Sequence, residues 1–388
     1  MSQKIEAGGL EVVERYYQEY GKRTQELKAQ GKQVIGYLCA FTPAEMIEAA
    51  GFVPFRIKGD IGEPISKADT QMETIVCPLV RSCYDLALKQ KYGFIDGLVI
   101  PHACDSMARS KDIWNYTLEL PYFHFIDTPH TTSDSSLNFF ISLLGTFRKS
   151  LGGFAKKEIT DASLAEAIEM YNQNRTRIQE LYELRKSDPP LISGTEMTKV
   201  LVAAMSLPVK ESIALLENVI SEVKQRPVVK GAKQPRIMVV GAEIDSAAFI
   251  ELIEDAGAHV VTDDLCPGGR EYRTLVKTGG DPVAAIAERY LRGIMCGRTY
   301  FEQEGSYQEY LEQRFGHIVR AARDFNVDGV IFNIYRYCDP FGFEVPAMKD
   351  YIESQGIPVL YVETEYFMSD IGRLRTRIQA FLEILGIN

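Results

Sequence analysis

Short apolar runs alternate with amphipathic stretches over the first third of the chain. The apolar runs cover residues 34–39, 53–57, 95–100 and 122–126. Between them, apolar residues recur with the period that places them on one face of a helix. Strands that alternate with helices at this spacing are typical of a parallel sheet with covering helices. The pattern therefore predicts an α/β fold for this part of the chain.

Two local patterns in the same part make more detailed predictions. Residues 9–30 combine helical periodicity with many charges, which predicts an amphipathic helix. In the run Thr42-Pro43-Ala44-Glu45, Thr42 is a suitable N-cap and Pro43 suits the first helical position. Glu45 then completes a capping box, so its carboxylate is expected to bond to the backbone at the start of that helix.

The last third of the chain repeats the pattern of the first. Its apolar runs cover residues 237–242, 259–262, 328–332 and 357–362. The pair formed by Asp96-Gly97 and Cys104-Asp105 has a counterpart in Asp328-Gly329 and Cys338-Asp339. A repeat of this length indicates repeated architecture. We therefore predict two doubly wound, parallel-sheet (Rossmann-like) domains of related topology.

Between these two parts the periodicity is helical throughout. Long charged helical patterns fill residues 164–186, 195–207 and 208–225, and a polar connector with Pro and Gly follows. The predicted organisation is an N-terminal α/β domain at residues 1–136, a helical middle segment at 137–230 and a C-terminal α/β domain at 231–388.

The composition is that of a globular protein with a sizeable core. Hydrophobic residues make up 46% of the chain, and 43 Lys and Arg against 53 Asp and Glu give a net charge of −10. Without a basic block, nucleic-acid binding is not expected. No apolar run is long enough to cross a bilayer. The first residues also lack the apolar core of a signal peptide, so we expect a cytoplasmic location and reduced thiols.

The chain contains seven cysteines. The simplest interpretation is that they are small buried packing residues, as free cysteines commonly are. Four of them, however, follow the predicted strands: Cys39, Cys104, Cys266 and Cys338. In an open parallel sheet, ligands bind at this end of the strands. Converging thiolates in a reduced compartment suit a soft metal, either zinc or an iron–sulfur cluster. The chain has no Cys-x-x-Cys pair, which argues against a zinc ribbon.

Other chemical signals are weaker. The sequence contains neither a phosphate-binding P-loop motif nor the Gly-x-Gly-x-x-Gly motif of dinucleotide sites. His102 lies two residues before Cys104 and is a candidate acid or base in catalysis. A structural role for His102 is an equally reasonable interpretation.

Several motifs in order along the chain resemble those of the 2-hydroxyacyl-CoA dehydratase and benzoyl-CoA reductase family. They are Gly36-Tyr37-Leu38-Cys39-Ala40-Phe41-Thr42-Pro43-Ala44-Glu45, Cys77-Pro78-Leu79-Val80-Arg81-Ser82, Pro101-His102-Ala103-Cys104-Asp105, Asp263-Asp264-Leu265-Cys266, Tyr337-Cys338-Asp339-Pro340 and Gly372-Arg373-Leu374-Arg375-Thr376-Arg377-Ile378-Gln379-Ala380-Phe381. The resemblance covers nearly the whole chain.

The resemblance implies an oxygen-sensitive [4Fe–4S] cluster held by Cys77, Cys104 and Cys338, with one iron left open to a ligand. It also implies a related second subunit, in a heterodimer or a homodimer, and an ATP-dependent iron–sulfur activator protein that delivers electrons singly. The implied substrate is an acyl-CoA. One electron on its thioester carbonyl would allow an α-hydroxyl group to leave in a dehydratase, whereas a reductase would pass electrons into a conjugated ring.

The same family implies an alternative, because it includes proteins with an [8Fe–9S] double cubane held by six cysteines. Cys39, Cys266 and Cys296 would then supply the second set of three ligands and leave Cys83 unused. Such a protein would be a reductase of small molecules that lack a CoA thioester. The contexts Arg81-Ser82 and Cys338-Asp339-Pro340 resemble the acyl-CoA enzymes and favour one cubane. A scaffold subunit without a cluster is disfavoured, since all three core cysteine positions are filled.

Overall fold

Two four-stranded parallel sheets form the frame of the computed structural model, which describes residues 8–228, 233–302, 305–366 and 371–386. The strands of the N-terminal sheet are β1 Val34–Tyr37, β2 Val53–Arg56, β3 Gly97–Pro101 and β4 Tyr122–Ile126. Those of the C-terminal sheet are β5 Arg236–Gly241, β6 His259–Asp264, β7 Gly329–Tyr335 and β8 Val359–Thr364. The strand orders, β2-β1-β3-β4 and β6-β5-β7-β8, are equivalent. The predicted pair of related α/β units is therefore confirmed.

The inner strands of both sheets are buried on both faces, which explains why they read as continuous apolar runs. Every residue of β1, β3, β5 and β7 is buried. Helices cover the faces of such parallel sheets, so there is no solvent side that would need alternating polar residues. In each sheet the strand order reverses between two neighbouring strands. These are β1 and β3 in the N-terminal sheet and β5 and β7 in the C-terminal sheet. A crevice opens at the carboxyl ends of strands at such a point.

Fifteen α-helices are described. In the N-terminal part these are α1 Gly9–Gln18, α2 Lys22–Ala29, α3 Ala44–Ala49, α4 Pro78–Leu88 and α5 Asp105–Leu118. The middle part contains α6 Asp134–Ala155, α7 Asp161–Glu183, α8 Gly194–Met205 and α9 Val209–Lys224. The C-terminal part contains α10 Ala248–Asp255, α11 Gly269–Tyr272, α12 Pro282–Glu288, α13 Tyr307–Asp324, α14 Asp339–Ser354 and α15 Ile371–Ile384. A 3-10 turn at Ala68–Thr70 and a π-helical turn at Arg289–Gly293 complete the helical elements.

The three parts of the chain share their cores. Helix α1 packs on α8 and α9 of the middle part, and the backbone of α9 passes so close that a Cβ at Gly9 would lie 2.7 Å from the backbone N of Val219. Ile286 and Leu291, from the C-terminal part, belong to the same apolar cluster as Ile35 of β1. The boundaries at residues 136 and 230 remain predictions.

The start of the chain differs from the prediction of one helix over residues 9–30. Helix α1 ends at Gln18 and α2 begins at Lys22. Gly21, between them, has φ +83°, a conformation that glycine adopts without steric cost. The chain therefore turns at this point.

Glu45 also has a different role from the predicted capping box. Pro43 is the N-cap of α3, and the Thr42 hydroxyl donates to the backbone O of Leu38 at 2.8 Å. The fully buried Glu45 carboxylate forms an ion pair with Arg175 of α7 and accepts from the Tyr290 hydroxyl at 2.7 Å. Burial acts to raise the pKa of Glu45, but Arg175 and Arg289 outweigh it and the pKa is lowered. Glu45 thus connects all three parts of the chain.

No helix in the described part of the chain combines the length and the apolar character needed to cross a lipid bilayer.

We predict that Glu45→Gln destabilises the protein by about 3 kcal/mol, because it leaves the buried Arg175 guanidinium without its counter-charge. The free energy of unfolding from urea titrations measures the effect. Glu217→Gln is the matched control, since Glu217 pairs with Arg177 at an exposed site and such pairs contribute roughly 0–1 kcal/mol. Equal losses in the two variants would contradict the assigned role of Glu45.

Candidate metal centre

Six of the seven cysteines line one cavity between the carboxyl ends of the two sheets. The six are Cys39, Cys77, Cys104, Cys266, Cys296 and Cys338. The seventh, Cys83, is buried within α4 and does not line the cavity. All seven are free thiols. The structure therefore brings together every cysteine that the sequence named as a candidate ligand.

Three of these cysteines stand at the N-termini of helices. Cys77 is the N-cap of α4, Cys104 of α5 and Cys338 of α14. None of the three sulfurs accepts a capping hydrogen bond, but backbone N–H groups of each first turn act to lower the pKa of the thiol: those of Val80 and Leu79 at Cys77, those of Met107 and Ser106 at Cys104, and that of Phe341 at Cys338. The positive end of a helix dipole stabilises a thiolate. Three helices therefore direct this stabilisation into one cavity.

The other three cysteines come from connections rather than from helix starts. Cys39 follows β1, Cys266 follows β6, and Cys296 follows the π-helical turn. Cys39 has φ +62°, in the left-handed region that residues with a Cβ rarely adopt. Such strain persists only where the surrounding structure enforces it, and it is common at functional sites.

The effects of the thiols on one another show which of them are neighbours. Burial raises the pKa of Cys104 to about 12, with a further contribution from Cys77. Burial also raises the pKa of Cys338, and Cys77 and Cys104 raise it further, so these three thiols are mutual neighbours. The pKa of Cys39 is raised by burial and then by Cys266. Cys296 adjoins both groups, because its thiol contributes to the raised pKa values of Cys104, Cys338 and Cys266.

Two buried arginines add positive charge to the cavity wall. Arg270 donates from Nη1 to Sγ of Cys266 at 3.4 Å and from Nη2 to Oδ2 of Asp264 at 2.8 Å. Arg298 stacks over the ring of Phe41 at 4.5 Å. Burial lowers the pKa of Arg298, while the thiols of Cys296, Cys39 and Cys104 act in the opposite direction. No functional role was predicted for either arginine side chain, because nothing in its local pattern distinguishes it.

An acidic side chain, Glu243, also lines the cavity. Its Oε1 accepts from Nη2 of the fully buried Arg56 at 3.0 Å. Burial raises the pKa of Glu243 from its ordinary value of 4.5 to about 7, although Arg56 opposes this shift. A carboxyl group with such a pKa can take up and release a proton near neutral pH. The sequence did not indicate a role for Glu243, because its ion-pair partner, Arg56, is distant in the chain.

His102 lies close to the centre in sequence but outside the cavity lining. Its Nδ1 is 2.7 Å from Oδ1 of Asp127, and its ring lies 4.7 Å from that of His130. Hydrogen bonding to a carboxylate fixes Nδ1 as the protonated nitrogen, which leaves Nε2 as the proton acceptor. The catalytic role of His102 remains a prediction.

The donor set suits an iron–sulfur cluster. Within the described ranges, no three His, Cys, Asp or Glu side chains are arranged to bind a single metal ion. Six of the side chains that line the cavity are cysteines, and sulfur is the donor that iron–sulfur clusters require. The three helix N-termini and the two guanidinium groups would balance the negative charge of such a cluster.

Comparisons with known proteins show which family and which relatives the chain is similar to. Residues 39–385 match the sequence profile of the family described as 2-hydroxyglutaryl-CoA dehydratase, D-component. The chain is 28% identical to the (R)-phenyllactyl-CoA dehydratase beta subunit of Clostridium sporogenes, over 93% of this chain and 94% of that protein. It is 29% identical to the putative dehydratase subunit YjiM of Escherichia coli, over 93% of each. It is 27% identical to a benzoyl-CoA reductase subunit of Thauera aromatica, over 86% of each.

We predict that Glu243→Gln weakens the dependence of stability on pH. Since its pKa is about 7 in the folded protein and 4.5 ordinarily, wild type loses stability as the pH rises through this window. Glutamine does not titrate, so the difference in unfolding free energy between about pH 5 and about pH 8 should become smaller.

The control for this comparison is Glu45→Gln. It removes a carboxyl group whose pKa is lowered, so its stability cost should be fully present at neutral pH and decrease in acid. An unchanged pH dependence in Glu243→Gln would show that Glu243 stays ionised throughout.

Proposed function

The chain belongs to the 2-hydroxyglutaryl-CoA dehydratase D-component family, and on that premise we propose that it is the iron–sulfur component of a radical (R)-2-hydroxyacyl-CoA dehydratase or a benzoyl-CoA-reductase-like enzyme. The observation that carries the proposal is the convergence of six cysteines on one cavity between the sheets. Packing cysteines would be scattered over strands and helices instead. A lyase or a low-potential oxidoreductase of this family would use the cavity as its reaction centre.

Cys77, Cys104 and Cys338 would hold a [4Fe–4S] cluster, which when bound supplies single low-potential electrons. Their positions at three helix N-termini support this assignment, because backbone N–H groups stabilise the thiolate form that iron requires. Three protein ligands leave one corner of a cubane open to a substrate atom. Glu243 lies in the same cavity and would exchange protons there, while His102, oriented by Asp127, would serve a group that approaches from outside the cavity lining.

The partners follow from the family. Relatives are named as single subunits of their enzymes, several of them as the beta subunit. We infer that this chain pairs with a related second subunit, or with a copy of itself, acts on an acyl-CoA and receives electrons from an ATP-dependent iron–sulfur activator in the cytoplasm. The chain contains no P-loop motif, which agrees with a component that receives electrons.

A second candidate is a double-cubane reductase that acts on small molecules without a CoA thioester. One observation favours it: Cys39, Cys266 and Cys296 line the same cavity as the first three cysteines. The thiols also divide into two groups of three that meet at Cys296. An [8Fe–9S] cluster would use all six as ligands and would leave Cys83 as a packing residue.

We predict that anaerobically purified protein is brown and that Cys104→Ala loses its iron. Both candidates require Cys104, because it stands at a helix N-terminus among the first three thiols. Iron and acid-labile sulfide analysis measures the effect. Cys83→Ala is the matched control, a buried cysteine outside the cavity. Full iron content in Cys104→Ala would contradict the ligand assignment.

The same analysis distinguishes one cubane from two. A single cubane gives about four irons per chain, and a double cubane gives about eight. Cys266→Ala should keep its iron in the first case, since Cys266 would be a packing residue. In the second case it should lose at least the half of the cluster that Cys39, Cys266 and Cys296 would bind.

The class of substrate has its own test. We predict that an acyl-CoA changes the electron paramagnetic resonance spectrum of the reduced cluster, because the open iron would lie next to the bound thioester. Free coenzyme A is the control, since it lacks the acyl carbonyl. A spectrum that acyl-CoA leaves unchanged, together with about eight irons per chain, would favour the double-cubane reductase.

A further inference from the structure

Arg298 is the most unusual charged side chain in the cysteine cavity. It is 6% exposed and lines the cavity. Its Nη2 donates to the backbone O atoms of Thr128 and Pro129, both at 2.9 Å, and these two bonds account for two of its five N–H donors. Its Nε and Nη1 are buried and have no hydrogen-bond partner among the described residues. Three N–H donors therefore remain unsatisfied.

The surroundings hold the guanidinium group in place. Two carbonyl groups of the segment after β4 hold Nη2, and the fully buried ring of Phe41 stacks against the plane at 4.5 Å. These contacts come from the N-terminal part of the chain, whereas Arg298 belongs to the C-terminal part. Guanidinium groups lose little further freedom when they are already oriented in this way. The unsatisfied donors are therefore preorganised.

Six cysteine sulfur atoms line the same cavity as these unsatisfied donors. The thiols of Cys296, Cys39 and Cys104 are the groups whose charge would act on Arg298. Of the two carboxylates that line the cavity, Glu243 is bonded to Arg56, and Asp339 is exposed to solvent. A buried donor without a partner is unfavourable, so the site favours an occupant that accepts hydrogen bonds and carries negative charge.

We propose that Arg298 donates N–H hydrogen bonds to the sulfur atoms of the iron–sulfur cluster in this cavity and thereby raises its reduction potential. The inference rests on the proposed function, since it requires a cluster. Reduction adds one electron from a low-potential donor and increases the negative charge of the cluster by one. A fixed cation with N–H donors stabilises the reduced form more than the oxidised form. Arg298 is thus a positioning and tuning residue rather than a ligand.

A matched control exists in Arg289, which is also buried. Its guanidinium group stacks over Tyr290 at 4.5 Å, donates to the backbone O atoms of Thr274 and Glu271, and has an Nη1 without a partner in the described part of the chain. It does not line the cysteine cavity. Both arginines are buried against an aromatic ring and bonded to backbone carbonyls, but only Arg298 lines the cavity, whereas Arg289 lies near the Glu45 carboxylate.

The experiment compares wild type, Arg298→Gln, Arg298→Lys and Arg289→Gln as full-length proteins purified anaerobically. Iron and sulfide are measured first, and thermal unfolding verifies folding. A redox titration with dithionite, followed by electron paramagnetic resonance, then gives the midpoint potential. We expect the potential to fall in Arg298→Gln, to fall less in Arg298→Lys, which keeps the charge, and to stay at the wild-type value in Arg289→Gln.

The possible outcomes distinguish failure of the proposed function from failure of the inference about Arg298. Wild type without iron overturns the proposed function itself. Arg298→Gln with normal iron and an unchanged potential overturns only this inference, even if its KM for an acyl-CoA rises, since that result would assign Arg298 to substrate binding. If Arg298→Gln loses its cluster, the midpoint potential of Arg298→Lys becomes the deciding measurement. A potential equal to that of wild type overturns the proposal, and a lower potential supports it. An equal shift in Arg289→Gln also overturns it.

Discussion

The buried ion pairs of Arg56 hold the two sheets in the arrangement on which the cavity depends. Arg56 ends β2 of the N-terminal sheet, and its carboxylate partners, Glu243 at 3.0 Å and Glu271 at 3.1 Å, both belong to the C-terminal part. Burying a guanidinium group is costly unless its charge is compensated. A shift of one sheet against the other that kept these groups buried would leave all three charges uncompensated. This constraint keeps the carboxyl ends of both sheets facing the same space, where the cysteines project.

The sequence pattern was sufficient for the sheets and for part of the site. Buried parallel strands are continuous apolar runs, so their positions and their repetition could be predicted. Cys39, Cys104, Cys266 and Cys338 follow strands, and strand ends of a parallel sheet converge. Cys77 and Cys296 were different. Cys77 is reached through a long connection and Cys296 follows a π-helical turn, so no periodicity places them and only the family resemblance named them.

The charged residues of the interior could not be predicted, because their partners are distant in the chain. Glu45 satisfied the local rule for a capping box, yet its partner Arg175 is 130 residues away. The buried Arg175 guanidinium requires the Glu45 carboxylate as its counter-charge, so this carboxylate does not cap the helix and the local rule failed here. The backbone partner of Arg298 at Thr128 is 170 residues away. Arg270 is the exception, because its partners Asp264 and Cys266 are only six and four residues away, but no local rule identifies this arrangement. The importance of these two arginines appears only when the cavity that they line is assembled from both halves of the chain.

The cavity combines two opposing influences on its thiols, and the proposed iron–sulfur cluster would satisfy both. Burial raises the pKa of Cys104 and Cys266 to about 12, so a thiol alone would keep its proton. The same low dielectric strengthens the fields of Arg270 and of the helix N-termini, which favour negative charge. In such a cluster the irons would replace the protons on sulfur, while the cluster as a whole would remain anionic. A binding site for a thiolate alone would need neither six cysteines nor buried arginines whose N–H groups still lack acceptors.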